Sequence, residues 1–242
     1  MAAPALAGAA TLLLGALLGL LGAARNRVRF HDERLLWTIG GAIGVAAALA
    51  VGALAARLAG LAPFTGASLA AAYWCVLSLL GSLATPALDT SPRPGAGLLS
   101  LALKWLQSPL LTTAGMIGAL ACLGAGRRLH LARGTLFIET GPGLRAVALG
   151  AVAWTQRAFF DERGGVPEPW ASHEALHSRA VAALGECGFY AAYLAGGLFA
   201  AALLGAPWNA VDDSGRGNPL ERTAYAPDGP VRGSARRTDR TV

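Results

Sequence analysis

Three long runs of this chain carry no charged side chain: Ala2–Ala24, Leu35–Ala56 and Gly66–Leu88. At 1.5 Å of rise per residue each makes a helix of roughly 33 Å, enough for a hydrocarbon core of about 30 Å. None of the three has a polar face, which a buried helix at the edge of a soluble core would need. The runs therefore predict transmembrane helices. Ala and Gly recur along them, so neighbouring helices can approach closely. The first run lacks an early Lys or Arg and is longer than a signal-peptide core, so it reads as a retained helix. It ends at Arg25, Arg27, Arg29 and Arg34. The second closes at Arg57, and the third lies between Pro63 and the polar turn 89–94.

A fourth apolar stretch is less regular. Leu98–Gln107 contains Lys104 and Trp105, which suit a membrane interface, and Pro109–Ala125 is apolar but barely long enough to span. After Arg127 and Arg128 the texture changes. Residues 134–140 read as a strand, 141–143 as a turn and Arg145–Trp154 as a second β-leaning run. Together these suggest a short hairpin that could offer an edge to a substrate, although ordinary packing accounts for it equally well. Asp161–Trp170 is too polar for lipid. Ser172 is a plausible N-cap for a helix running to about Leu184 and stopping near Gly185. Cys187–Ala206 is a further apolar run, and residues 227–242, rich in Arg, Asp, Gly and Pro, are expected to form a disordered tail.

Only 14% of the 242 residues are charged, against about 25% in soluble domains. The net charge of +6 sits in short loops beside apolar runs and in the tail. There it sets membrane orientation, so no nucleic-acid partner is expected. Cys75, Cys122 and Cys187 show no paired spacing and read as inert thiols. Lys104 is the single lysine among 20 basic residues, a bias expected of a high-GC bacterial genome and a bacterial cell membrane.

The chain's chemistry centres on His173-Glu174-Ala175-Leu176-His177, an HExxH motif. On a helix, imidazoles four residues apart share one face and can grip a single zinc ion. Glu174 falls beside them, placed to take a proton from a water at the ion. Zinc requires a third protein ligand and an open position. The residues themselves leave two choices, His130 and Glu221. His130 has Arg128 and Arg133 as neighbours, an unfavourable setting for a cation.

HExxH followed by a distal Asn-Pro-x-Glu-x-x-Ala (here Asn218 to Ala224) resembles the gluzincin-type zinc metallopeptidases. It is most similar to membrane-associated bacterial members with the Leu184-Gly185 step and an aromatic apolar segment, here Phe189 to Leu194. The resemblance covers roughly Gly134–Tyr225. It implies zinc as cofactor, His173, His177 and Glu221 as its ligands, Glu174 as general base, and a peptide or protein substrate. Two positions depart from the family pattern: Ala180 stands where Gln is frequent, and Tyr225 where Asp is.

The expected fold is thus a mainly α membrane protein, with an N-terminal transmembrane bundle followed by a small α+β zincin-like domain. The division places transmembrane helices in 1–125 (about 2–24, 35–56, 66–88 and 109–125). A zinc-peptidase-like unit fills 126–226, with an apolar helix or hairpin at 187–206. The expected activity is hydrolysis of peptide bonds near the membrane surface. The alternative is an inactive metal-binding or structural membrane protein. An intramembrane protease of the site-2 class needs its motif in a hydrophobic helix, and the polar Asp161–Ser172 stretch argues against deep burial. Tyr225 and Arg179 are lesser candidates for stabilising an oxyanion.

Topology adds a constraint. If Cys187–Ala206 crossed the bilayer, Glu221 and His177 would lie on opposite sides. A bend is therefore expected, and Gly196-Gly197 offers a place for it. Likewise, the positive-inside rule puts Arg25–Arg34 in the cytoplasm. A cytoplasm-facing site then requires the fourth stretch to be re-entrant or interfacial.

Overall fold

A computed structural model describes residues 2–93, 95–140, 146–212 and 216–225. The predicted tail, the turn at 141–143 and Arg145 lie outside the described residues. The chain is mostly helical, with one small mixed sheet. Helices α1 (Ala2–Arg25), α2 (His31–Leu58) and α3 (Pro63–Thr90) are followed by α4 (Ala96–Gln107) and α5 (Pro109–Gly124). Strands β1 (Leu129–Ala132), β2 (Thr135–Thr140), β3 (Ala146–Leu149) and β4 (Val152–Gln156) come next. Then follow the long α6 (Glu168–Leu204) and a single turn, α7 (Arg222–Tyr225), entered through a 3-10 turn at Pro219–Glu221.

Among the described residues, four helices are long and apolar enough to cross a membrane: α1, α2, α3 and α6. Their outward faces carry exposed Leu, Ile, Val and Phe along their length, including Leu13, Leu17, Val51, Leu69, Val76 and Leu198. Such a surface suits contact with lipid. Contacts between the helices run through small residues. Gly15 and Gly19 of α1 meet Gly41 of α2 so closely that a methyl group there would strike backbone, the close approach that small residues permit in lipid.

The long α6 is not one straight span. Gly185 has φ 70° and ψ 169°, outside the helical region, and divides α6 into two limbs. Sixteen residues of straight helix would separate His177 from Tyr193 by about 24 Å, too far for their rings to meet. Yet those ring centroids are 6.0 Å apart. The second limb therefore folds back along the first. Its course can be followed on its neighbours. Arg179 pairs with Asp89 at the end of α3, and Ala182 and Ala183 pack on Gly81, Ser78 and Gly22. Leu184 reaches Gly44 in the middle of α2, after which Gly188 returns to Gly40 and Gly196 to Leu36. The bend is thus at Gly185, not at the expected Gly196-Gly197. A side chain at Gly185 would suffer the positive φ and meet the Trp74 indole at 2.7 Å. Gly196 and Gly197 lie within helix and leave room for Asn218 and Trp208.

The fourth apolar stretch also turns back. Between α4 and α5, Ser108 Oγ and the Leu111 N–H both donate to Glu186 Oε1, at 2.8 and 2.6 Å. That carboxylate follows the α6 bend directly and satisfies the start of α5. From there α5 packs against the sheet, with Gly115 at Val152 and Gly118 at Trp154.

Lys104, expected at the interface, is fully buried. Its ammonium donates to both Asp89 carboxylate oxygens (3.1 and 3.0 Å) and to the carbonyls of Arg133 (2.9 Å) and Gly134 (3.2 Å). Trp105 does face outward, donating to Thr113.

The sheet order is β1-β2-β4-β3, and β2 runs parallel to β4. The expected pairing of 134–140 with the following run as one hairpin is therefore corrected. The run at 145–154 breaks at Gly150 (φ 61°), and β3 and β4 form the antiparallel hairpin instead. Strand β1 had no distinct sequence signal. One sheet face, with Ile138 and Val152, packs on Ala119 of α5. The other, with Phe137 and Ala153, packs on Phe160, Val166 and Ala171 at the start of α6. The first limb of α6 is consequently enclosed by the sheet on one side and by α2, α3 and α4 on the other.

Candidate metal centre

The motif helix begins at Glu168, with Pro169 in its first turn. Ser172, the expected N-cap, instead lies inside the helix and donates to Glu168 Oε1 (2.8 Å). Helical spacing puts His173 and His177 on one face, 3.2 Å apart at their Nε2 atoms. Glu221 arrives from the other end of the second limb. Asn218, fully buried, organises that arrival: its Oδ1 accepts from the Leu220 N–H (3.1 Å) and its Nδ2 donates to the Tyr193 carbonyl (3.1 Å). The 3-10 turn that follows aims Glu221 at the histidines.

Glu221 Oε2 lies 3.2 Å from His177 Nε2 and 3.4 Å from His173 Nε2. The three donor atoms thus form a nearly equilateral triangle with sides of 3.2, 3.2 and 3.4 Å. Ligands at 2.0–2.1 Å from a tetrahedral zinc stand about 3.3–3.4 Å from one another. The triangle therefore fits three corners of such a site, and this donor set is the His₂Glu type used by catalytic zinc. Among the described residues, this is the one His/Cys/Asp/Glu group whose donor atoms could hold a metal ion.

Electrostatics keep the third donor ionised. With no metal bound, burial pushes the Glu221 carboxyl up, but the imidazolium charge and hydrogen bond of His177, with help from His173 and Tyr193, outweigh it and hold it at about 2. Tyr193 Oη donates to Glu221 Oε1 (2.5 Å), leaving Oε2 for the histidines. The rings of Trp170, Tyr225, Phe189 and Tyr193 pack around the two imidazoles.

Glu174 points beside the triangle, with Oε1 4.0 Å from His173 Nε2. His130 stands on β1 opposite Phe137 and is not part of the group. Of the two oxyanion candidates, Tyr225 lies against His173 (centroids 5.3 Å apart), whereas Arg179 turns away to Asp89 (3.1 Å) and the Ala175 carbonyl (3.0 Å). Sequence reasoning missed Tyr193 and Asn218, which position Glu221. An Asn-Pro pair ahead of a liganding Glu marks a capped turn, and that signal could have pointed to Asn218.

No family model, curated protein or solved structure matches this chain.

Proposed function

We propose that this protein is a membrane-embedded zinc metallopeptidase that cleaves peptide bonds close to the membrane surface. The observation that carries this reading is the 3.2, 3.2 and 3.4 Å triangle of His173, His177 and Glu221, with a carboxylate of HExxH spacing at its side. Zinc held there would polarise the scissile carbonyl and lower the pKa of a water toward 7. The chain's own groups do the rest. Glu174 accepts a proton as the water oxygen bonds to the carbonyl carbon. It then delivers that proton to the amine nitrogen as the C–N bond breaks. Tyr225, whose ring lies 5.3 Å from that of His173, is the candidate donor to the developing oxyanion.

The depth of the site supports a surface substrate. Leu184, just before the bend, meets α2 at Gly44, 13 residues and about 20 Å from where α2 begins. His177 lies seven residues earlier, about 10 Å back toward that end. The site is thus sunk several ångströms among the helices but belongs to the end where α2 starts and α3 finishes. Of the polar 161–170 stretch, Trp170 packs on His173, with ring centroids 6.0 Å apart.

Zinc content decides the metal reading. Purified wild-type protein is expected to hold about one zinc per chain, and His173→Ala and Glu221→Ala to lose most of it, measured by elemental analysis after dialysis. Equal zinc in all three would end the metalloprotein reading.

Charge predicts the sidedness. The end carrying the site holds Arg25, Arg27, Arg29, Arg34 and Arg93, and the sheet docked there adds Arg127, Arg128 and Arg133. The opposite end, between α2 and α3, has Arg57. Because α4–α5 and α6 both turn back, both basic clusters face one way, and the positive-inside rule makes that side cytoplasmic. In a cysteine-free background in intact cells, Leu61→Cys should react with a membrane-impermeant maleimide and Arg93→Cys should not. The reverse pattern would put the site outside.

A further inference from the structure

Glu33 is a carboxylate that neither the fold nor the proposed chemistry accounts for by itself. It sits in the first turn of α2 with no exposed surface. Its Oε2 accepts two hydrogen bonds, from the Thr223 N–H (3.2 Å) and the Thr223 hydroxyl (2.5 Å). Its Oε1 is buried without a partner, so its hold on the rest of the molecule runs through one oxygen. Thr223 is two residues beyond Glu221. The same hydroxyl accepts from the Arg29 N–H (3.4 Å), and Arg222 Nη1 donates to Asp32 Oδ2 (2.6 Å). Residues 29–33, at the first turn between helices, therefore grip both residues that follow Glu221.

This grip has a mechanical consequence. Glu221 sits on a short 3-10 turn leading into a four-residue helix, elements with little rigidity of their own. Asn218 fixes the turn upstream. Something must fix it downstream if Oε2 is to stay within 3.4 Å of two imidazoles. Glu33 supplies that tie through a single carboxylate oxygen that accepts both Thr223 bonds.

We propose that Glu33 is a positioning residue for the metal centre: through Thr223 it sets where the Glu221 carboxylate stands relative to His173 and His177. The inference rests on the metal reading above but adds to it a role for a residue 188 positions earlier in the chain. Partners that orient metal ligands typically contribute 10–100-fold in metal affinity.

The test is zinc affinity, by competition with a chromophoric chelator, on full-length protein in detergent, together with the visible spectrum of the Co²⁺-substituted form. Glu33→Ala is expected to weaken zinc binding by about 10–100-fold and to shift the cobalt bands. Glu33→Gln keeps a carbonyl oxygen for both Thr223 bonds and should stay within about threefold of wild type, with its cobalt spectrum unchanged. A Glu33→Ala protein with wild-type affinity and spectrum would overturn the proposal. So would a Glu33→Gln protein as impaired as Glu33→Ala. If Glu33→Ala does not fold, Thr223→Val, which removes only the hydroxyl, takes its place with a smaller loss of affinity expected, and no loss would count against the proposal. A wild-type protein that takes up no zinc fails the metal reading itself and is distinguishable from all of these.

Discussion

Glu174→Gln is expected to lower the turnover of a peptide substrate by about 10²–10⁴-fold while zinc content stays at the wild-type level. Glu174 is almost buried and sits beside the donor triangle without belonging to it. The substitution keeps volume and helix propensity and removes only the ability to take up a proton. A general base contributes through the transition state, so the loss should fall on kcat more than on KM. The measurement pairs cleavage of a fluorogenic peptide in mixed micelles with elemental zinc on the same preparation. Activity within threefold of wild type would exclude Glu174 as the base. Lost zinc would make Glu174 a ligand and require the donor set to be redrawn.

Asp89→Ala should be the most damaging single change to stability. The Asp89 carboxylate has no exposed surface and is shared by Lys104, Arg179 and the Ser100 hydroxyl. Through it, α3 is tied to α4, to the first limb of α6 and, by way of Lys104, to the Arg133-Gly134 turn between β1 and β2. Removing the carboxylate strands a fully buried ammonium and a largely buried guanidinium. Breaking a buried pair in this way typically costs about 3–5 kcal/mol. The expected result is a large fall in the thermal midpoint in detergent, followed by tryptophan fluorescence. Replacing Asp89 and Lys104 together, by Asn and Met, should recover part of the loss, because no unpaired ammonium then remains. A double variant no better than Asp89→Ala would mean that the ion pair is not what holds this junction.

Much of this architecture was readable from local signals. Uncharged runs of 22 or 23 residues can satisfy their backbone in lipid only as helices, so α1, α2 and α3 were legible to within a few residues of their ends. Residues 134–140 and 145–154 announced β structure through their branched and aromatic content. Their pairing was hidden, since the positive φ that splits the second run at Gly150 is a single-residue event. The strands were therefore expected to meet as one hairpin, whereas β2 lies parallel to β4. Lys104 misled for a related reason. Its buried partner, Asp89, sits in a different helix, and no pattern within either segment links the two.

What the sequence alone determined is the set of helices, which follows from hydrophobicity and length, and the identity of the groups with metal-binding chemistry, which follows from their donor atoms. What only the tertiary structure decided is where those helices turn back and which donors converge. A bend depends on a residue such as Gly185 having neighbours that leave room for it. A triangle of 3.2–3.4 Å depends on His177 and Glu221, 44 residues apart, being carried to one place by packing that the sequence between them does not encode locally.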